Sequence, residues 1–396
     1  MDILHIDDQL TDEERTIRDT VRDYVDKNIQ PRVSGWFEED TLPIRELAPE
    51  LGKLGLFGMQ LKGYGLPGSS AVAYGVACRE LEAADSGLRT LLSVQGSLAM
   101  SSIYKFGTED QKTEWLARMA AGEALGCFGS TEPRGGSEVA AMQTYARRDG
   151  SDWILNGHKK WIGNAALADV AVIWAQTDNG VRGFLVPGGT PGFNTSVIKH
   201  KWGLRAAVTC EIVLDNVRLP AEAILPGTTG IESLLACTLE AQYGILFGVT
   251  GAARTCYETA VDYAKSRRQF GLPIGGFQMT QQKLARMEIA LGQAALVAMQ
   301  IGRLKDQGKV TQPMVSFGKL ANVRTALEVA RQARTILAAN GITLDYPVIR
   351  HMNNLEAVFT YEGTEEIHTL VLGETITGLP AWSPAVPSPL TGATSS

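Results

Sequence analysis

Cysteine is scarce and scattered in this chain. Five occur among 396 residues (Cys78, Cys127, Cys210, Cys237 and Cys256), with no CxxC pair. No disulfide framework is expected, and a reduced, cytoplasmic protein is the natural reading. Histidine is equally sparse. His5, His158, His200, His351 and His368 lie at no metal-ligand spacing to one another or to a cysteine, so no metal centre is expected. An excess of positive charge is also missing: 37 Lys and Arg face 43 Asp and Glu, for a net charge of −6. Nothing here attracts phosphate broadly, which argues against nucleic acid or a membrane surface as partner. No apolar run follows a basic N-terminus, so no secretory leader is expected. No uninterrupted apolar stretch reaches membrane-spanning length.

What is present is 44% hydrophobic and 20% charged residues, the balance of a globular protein with a large core. The length suggests two or three packed units. Residues 1–126 read as helices: Thr11 and Glu14 form a capping box, Ile17, Val21, Val25 and Ile29 recur on one face, and Thr108 with Gln111 caps a later helix. Pro43 suits the first turn of another, and further helices are expected over 71–84 and 89–105. Residues 127–230 change character. Asn156-Gly157 reads as a hairpin turn between 152–155 and 158–162, Asn179-Gly180 as a second turn, and 211–219 as another strand. A small antiparallel sheet or barrel is expected. Residues 231–382 return to long helices, over about 232–265, 276–306, 313–338 and 365–376, and residues 383–396, rich in Pro, Ser and Thr, read as a disordered tail. The fold class is mainly α with a β middle domain, not a doubly wound fold. Gly63-Tyr64-Gly65-Leu66-Pro67-Gly68 matches GxGxxG, with Asp85 at the distance of a ribose-binding acid. It joins two helices and has no strand before it, so a plain loop is the better reading.

Four stretches carry chemistry. Tyr361-Glu362-Gly363-Thr364 interrupts two apolar helix-like segments. A carboxylate there can leave the helix surface and enter a cavity, where desolvation raises its pKa toward that of a neutral-pH general base; the alternative is a surface Glu in a turn. Cys127–Glu138 (CFGSTEPRGGSE) places hydroxyls on a loop that can hold a ring edge or a phosphate, or is simply a connector. Trp161-Ile162-Gly163-Asn164 can wall a flat ring, unless the Trp is core. Arg267-Arg268-Gln269-Phe270-Gly271, with Phe277-Gln278 after it, offers an arginine to a pyrophosphate or to a helix C-terminus.

Together these segments resemble the signatures of the acyl-CoA dehydrogenases, in order and spacing, over about 8–380. VAYGVACRELEAADSGLR, ARQAR, NGI, VIRHMNNLEAV and TYEGT resemble the glutaryl-CoA-type subgroup in particular. The resemblance implies an α-helical N-terminal domain, a central antiparallel β-barrel-like domain, a C-terminal four-helix bundle and a homotetramer. It implies FAD as cofactor, with Phe128, Ser130, Thr131, Ser137, Trp161, Gly163, Arg267, Phe270, Gln278, Asn340, Gly341, Thr364 and Glu366 around it, Arg267 and Gln278 coming from a neighbouring subunit. Glu362 becomes the catalytic base, Arg89 the receptor for a distal substrate carboxylate, and Glu82, Thr90, Tyr361 and Tyr243 its surroundings. An internal ion pair of Arg89 with Glu80, Glu82 or Asp85 is the competing reading. The implied reaction is α,β-dehydrogenation of an acyl thioester with decarboxylation, electrons passing to an electron-transfer flavoprotein.

The chain departs from that pattern near the flavin. The usual hydroxyl residue of the WITN segment is Gly163, the residue before TEP is Ser130, and paired glycines before NGI are Ala338 and Ala339. An expected Arg is Gln242, its neighbour is Glu240, and an alternative base position falls at Ala241. The loss at Gly163 admits a second enzyme reading: a biosynthetic flavoenzyme that decarboxylates, desaturates and oxygenates a carboxylic (β-keto) acid with O2, as epoxyketone-forming relatives do. A flavin-binding scaffold with a decayed site is a third, opposed by the joint retention of Glu362, Tyr361 and Arg89.

Overall fold

The computed structural model describes residues 3–381; the stretch read as a disordered tail lies outside them. The N-terminal helices are α1 (Asp12–Tyr24), α2 (Gln30–Glu38), α3 (Ile44–Lys53), α4 (Ala71–Ala84), α5 (Ser86–Leu92), α6 (Ser101–Phe106) and α7 (Glu109–Ala120). Both expected capping boxes form, at Thr11/Glu14 and Thr108/Gln111. The expected stripe is real, with Val21, Val25 and Ile29 buried, but a π-helical turn over Val25–Ile29 re-phases it into α2. A longer π segment, Ser93–Met100, joins α5 to α6 into one continuous run. The GxGxxG decoy is a small hairpin, β1 (Lys62–Gly63) with β2 (Leu66–Pro67), turned by Tyr64 and Gly65, both at positive φ (51° and 80°).

The middle domain holds β3 (Gly126–Gly129), β4 (Tyr145–Asp149), β5 (Asp152–Gly163), β6 (Val170–Thr177), β7 (Gly180–Pro187), β8 (Phe193–Val197) and β9 (Thr209–Leu219). They form one curled sheet in the order β3-β6-β4-β5-β9-β8, with β7 also on β6. Two expectations are corrected here. The sheet is not wholly antiparallel, since β3 runs parallel to β6. Asn156-Gly157 is not a hairpin turn: it lies inside β5, which turns instead at Gly150-Ser151 and pairs Asp149 with Asp152. Gly157 is there because a Cβ would stand 2.3 Å from Thr144 Oγ1, and the ladder to β9 shifts register at that point, the usual mark of a glycine bulge. The Asn179-Gly180 turn forms as expected between β6 and β7.

The C-terminal part is α8 (Ile231–Ser266), a small hairpin of β10 (Arg268–Gln269) and β11 (Leu272–Pro273), then α9 (Gln278–Asp306), α10 (Gln312–Leu337), α11 (Val348–Thr360) and α12 (Glu365–Thr377). α8 is the spine. It packs on α4 through Gly244, Gly248 and Gly251, where an added Cβ would meet Tyr74 Oη at 2.9 Å, Glu82 Oε2 at 2.1 Å and the Arg79 carbonyl oxygen at 1.9 Å. By length and mean hydropathy both α8 and α9 could cross a membrane, which the lack of an unbroken apolar run did not anticipate; 72% of the most apolar window of α8 is covered inside the protein, against 28% for α9.

A buried ionic knot sets the position of α11. Asp85 caps α5 through the Gly87 N–H at 2.8 Å and accepts from Arg350 Nη1 and Asn354 Nδ2, each at 2.8 Å. Asn354 Oδ1 in turn takes the Leu204 N–H at 2.7 Å, so all three parts of the chain meet behind the end of α11. Removing one partner of such a pair costs about 3–5 kcal/mol.

At the end of α10, Ala338 sits at φ 54°, ψ −124°, a conformation suited to glycine. Ala338→Gly relieves that strain against a smaller loss of unfolded-state order, so the flavin-loaded variant is expected to gain about 1 kcal/mol. A melting temperature no higher than wild type would contradict this.

Candidate active site

The break between α11 and α12 follows from local geometry. Tyr361 still donates its N–H to the Ala357 carbonyl at 3.0 Å, then the chain turns left-handed at Glu362 (φ 53°) and Gly363 (φ 85°). A Cβ on Gly363 would stand 2.7 Å from His368 Nε2. Thr364 then caps α12, accepting from the Ile367 N–H at 3.3 Å. Glu362 is a non-glycine residue in a strained conformation, a feature that concentrates at functional sites.

Two buried side chains grip this turn by its carbonyls. Lys319, 2% exposed, donates from Nζ to the Tyr361 and Gly363 carbonyl oxygens at 2.7 Å each. His368 Nε2 lies 3.1 Å from the Glu362 carbonyl oxygen and its Nδ1 is 2.9 Å from Ser316 Oγ. Burial pushes His368 down to about 4, helped by Lys319. The ring is therefore neutral at physiological pH, donating from Nε2 and accepting from Ser316. Glu362 as a residue is half-buried, but desolvation of its carboxyl lifts it to about 7, against the opposing pull of Lys319 and Arg89, which is where a general base serves best.

Arg89 lies beside this turn, 1% exposed. Its Nε donates to Glu82 Oε2 at 2.8 Å and its Nη2 to the Tyr361 hydroxyl; the guanidinium sits 5.5 Å from the Tyr361 ring centre. Of its three proposed internal partners, Glu82 alone pairs with it. Glu80 is taken by Arg22, Arg79 and Arg254, and Asp85 by Arg350. Burial works against the charge on Arg89, but Glu82 and Tyr361 keep its pKa raised. Burial pushes the Glu82 carboxyl up, against Arg89. Around the pair, Glu82 Oε1, Ser86 Oγ and Thr90 Oγ1 are buried without a well-formed hydrogen bond, although Ser86 stands near enough to Glu82, and Thr90 to Tyr361, to favour their charged forms.

A second wall comes from the sheet. Phe128, next to last in β3, is buried against Trp174; Ser130 and Thr131 follow on a segment held by a buried pair: Lys159 Nζ contacts the Ser130 carbonyl at 3.1 Å and Glu132 Oε1 at 2.9 Å, while Glu132 accepts the Gln143 and Thr144 N–H groups. Trp161, at the end of β5, is 57% exposed and left-handed (φ 64°), so it is not a core residue. Asn164 beside it is left-handed too, and its buried Nδ2 has no partner. An exposed aromatic face, loop hydroxyls and an orphaned donor fit a flavin ring. The wall joins the Arg89 pocket through Val94, which is on the same helical run and whose Cγ2 would stand 3.1 Å from a Cβ at Gly163.

Of the other expected cofactor residues, Thr364 stays at the base's own turn and the rest are not brought here. Ser137 is exposed on its loop, and Arg267, Phe270 and Gln278 are exposed at the far end of α8. Arg267 is 19 residues beyond Gly248 on that helix, roughly 28 Å away by helical rise. Asn340 donates to the Tyr263 hydroxyl at 3.0 Å and Gly341 packs against the Arg334 carbonyl, while Thr364 and Glu366 stand in the first turn of α12. Tyr243 is a correction. It is fully buried, its hydroxyl donates to the Ala71 carbonyl at 2.7 Å and its ring packs on Tyr74 and Phe247, so it is a core residue. Ala241, at the alternative base position, is fully buried, and Glu240 is neutralised by Lys105 and Lys305. Sequence reasoning missed Lys319, His368, Lys159 with Glu132, and the glycine notch at Gly248. A signal for Lys319 existed: it recurs on the buried face of α10 with Val315, Asn322 and Ala326, a place where a lysine demands a partner.

A strained, elevated-pKa carboxylate on a bundle that adjoins an aromatic wall of a curled sheet suits proton removal from a substrate held against a flat ring, the arrangement of a flavin-dependent dehydrogenase. The chain belongs to the acyl-CoA dehydrogenase family: residues 11–123 match its N-terminal domain, 127–217 its middle domain and 229–377 its C-terminal domain. It is 58% identical to a glutaryl-CoA dehydrogenase of Mycobacterium smegmatis, with a TM-score of 0.94 over 96% of this chain and 98% of that one. A glutaryl-CoA dehydrogenase structure from the same organism in complex with FADH2 is 55% identical with a TM-score of 0.95, again over 96% of this chain and 98% of that one. The short-chain specific acyl-CoA dehydrogenase of Bos taurus mitochondria is 34% identical over 375 residues, 92% of this chain and 90% of that protein. FAD is the cofactor, and the enzyme is an FAD-dependent oxidoreductase.

Proposed function

We propose that the enzyme dehydrogenates an acyl-CoA bearing a distal carboxylate, of the glutaryl type, and releases that carboxylate as CO2. The observation that carries the reading is Arg89: a buried cation beside the base whose donors are only partly used by the protein. Arg89 has five N–H donors, and Glu82 and Tyr361 use two. The rest can receive a carboxylate in a site where water is excluded, which makes the contact strong.

The chain's own residues do the following. Glu362 takes the proton from the carbon next to the thioester carbonyl. Among the described residues, no protein group accepts from its backbone N–H, which leaves that donor for the developing enolate oxygen. Bound FAD supplies the hydride acceptor. Arg89 and Tyr361 hold the far carboxylate, and its carbon–carbon bond can break once the new double bond is conjugated to receive the electrons. The wall of Thr131 and Trp161, backed by the buried Phe128, carries the ring. The apolar, largely uncovered α9 supports a homotetramer, and the exposed Arg267–Phe270 hairpin supports a share in a neighbour's cofactor site. An electron-transfer flavoprotein as acceptor and a cytoplasmic location, the latter in keeping with five free cysteines, belong to the same proposal. Val94 fills the place beside Gly163, so the geometry gives the oxygenating alternative no support.

The test is anaerobic. Glutaryl-CoA is expected to bleach the bound flavin, and turnover with an artificial acceptor is expected to yield crotonyl-CoA and CO2 in equal amounts. Bleaching by butyryl-CoA with none by glutaryl-CoA would overturn the carboxylate reading while leaving the dehydrogenase intact.

A further inference from the structure

The turn that carries the base hangs from the protein by its carbonyl oxygens, and all three of Tyr361, Glu362 and Gly363 are held. The two grips differ in kind. Lys319 on α10 brings a charge, and among the described residues it has no carboxylate at ion-pair distance. His368 on α12 is neutral and belongs to a hydrogen-bonded chain: Ser316 Oγ at 2.9 Å from its Nδ1, then Gln312 Nε2 at 3.3 Å from Ser316, then Gln242 Oε1 at 2.8 Å from Gln312. A buried ammonium is a costly way to tie down two carbonyls; a neutral amide could do that alone. Something must make the charge useful.

The ionisable groups facing Glu362 are few. Arg89 on α5 is already balanced by Glu82 on α4, and its other contact is the Tyr361 hydroxyl on the turn itself. His368 is neutral. Lys319 is the nearby cation with no carboxylate of its own, and the carbonyls it binds flank Glu362 on both sides. Its ammonium therefore lies beneath the peptide that bears the carboxylate.

We propose that Lys319 and His368 are positioning residues for the base: both hold Glu362 in its left-handed conformation, and the charge of Lys319 keeps its carboxylate ionised in a buried site. This rests on the reading of Glu362 as base. The directions of titration agree, since Lys319 lowers the Glu362 pKa and Glu362 raises that of Lys319, burial having pushed the latter down to about 7. His368 acts through its Nε2–H alone.

The experiment uses the flavin-loaded enzyme. Infrared difference spectra of wild type minus Glu362→Gln, taken across the pH range without substrate, follow the Glu362 carboxyl band directly. In Lys319→Gln, which keeps N–H donors and loses the charge, the midpoint of that band is expected to rise by about one pH unit or more, with the acid limb of kcat/KM moving alongside. An unmoved midpoint overturns the electrostatic role, whatever happens to melting temperature. His368→Leu is expected to lower kcat by about 10- to 100-fold with little change in KM, because the carboxylate is no longer aimed. His368→Gln should recover most of the loss. Unchanged kcat in His368→Leu overturns the positioning role, and the histidine variants carry the test if Lys319→Gln fails to take up flavin. If the band titrates as expected and butyryl-CoA is turned over while glutaryl-CoA is not, the carboxylate reading proposed above fails and this inference stands.

Discussion

Glu362→Gln is expected to lower kcat by about 10²- to 10⁴-fold, the usual contribution of a positioned proton acceptor, while the yellow colour of bound flavin is retained. Glutamine matches the shape of the carboxylate and keeps the left-handed turn, so the loss isolates proton removal. The pH profile of the wild type follows from the same group. The base works only when ionised and its pKa is lifted to about 7, so kcat/KM should rise about tenfold per pH unit below that point and level off above it. Stability runs the other way. The folded carboxyl binds its proton more tightly than the unfolded one, so the wild type loses stability as pH rises from the ordinary carboxylate range through about 7. Glu362→Gln cannot ionise there. Its melting temperature should exceed that of wild type at pH 8, with the advantage fading toward pH 5. Retained turnover in the variant, or a flat acid limb in the wild type, would remove Glu362 from the mechanism.

Arg89→Met is expected to lower kcat/KM for glutaryl-CoA relative to butyryl-CoA by about 10²- to 10³-fold, the range seen when one side of a buried charge pair is cut. It should also destabilise the protein by about 3–5 kcal/mol, since Glu82 is left buried and alone. Burial pushes that carboxyl up even in the wild type. Without Arg89 it should take a proton more readily, making the penalty larger at pH 8 than at pH 5. Adding Glu82→Gln should restore most of the stability and none of the selectivity. Equal losses for both substrates would mean that the pair serves packing rather than recognition.

Much of this was legible in the chain. The capping boxes, the long helices and the helix–strand–helix order follow from local chemistry, because capping and periodicity act over a few residues. Glu362 could be singled out only because the neighbouring signature segments resemble one family in order and spacing; alone, a carboxylate at a helix break also reads as a surface residue in a turn. What failed to show was everything set by distant packing. Asn156-Gly157 carries a turn signal, yet the glycine is required by Thr144 across the sheet. Tyr243 sits on the right helix for a site residue, but its hydroxyl is consumed by the Ala71 carbonyl. The strands β3, β4 and β8 are short or without clean alternation. Lys319 lies on a different helix from Glu362 and only the bundle brings it under the turn, whereas His368 is close in sequence and its role depends on how the start of α12 folds back on the turn.

The notch at Gly248 has a consequence for how such an enzyme can diverge. A single methyl there would collide with Glu82 Oε2, so the room for the charge pair is cut out of the helix facing it. The charge pair and the seam between α4 and α8 are thus one inheritance. A lineage that loses the pair need not touch Arg89 first. One added carbon on the opposite helix would evict the carboxylate and leave the arginine stranded, after which its replacement becomes the favourable step. The order of mutations, and not merely their sum, is written into the contact.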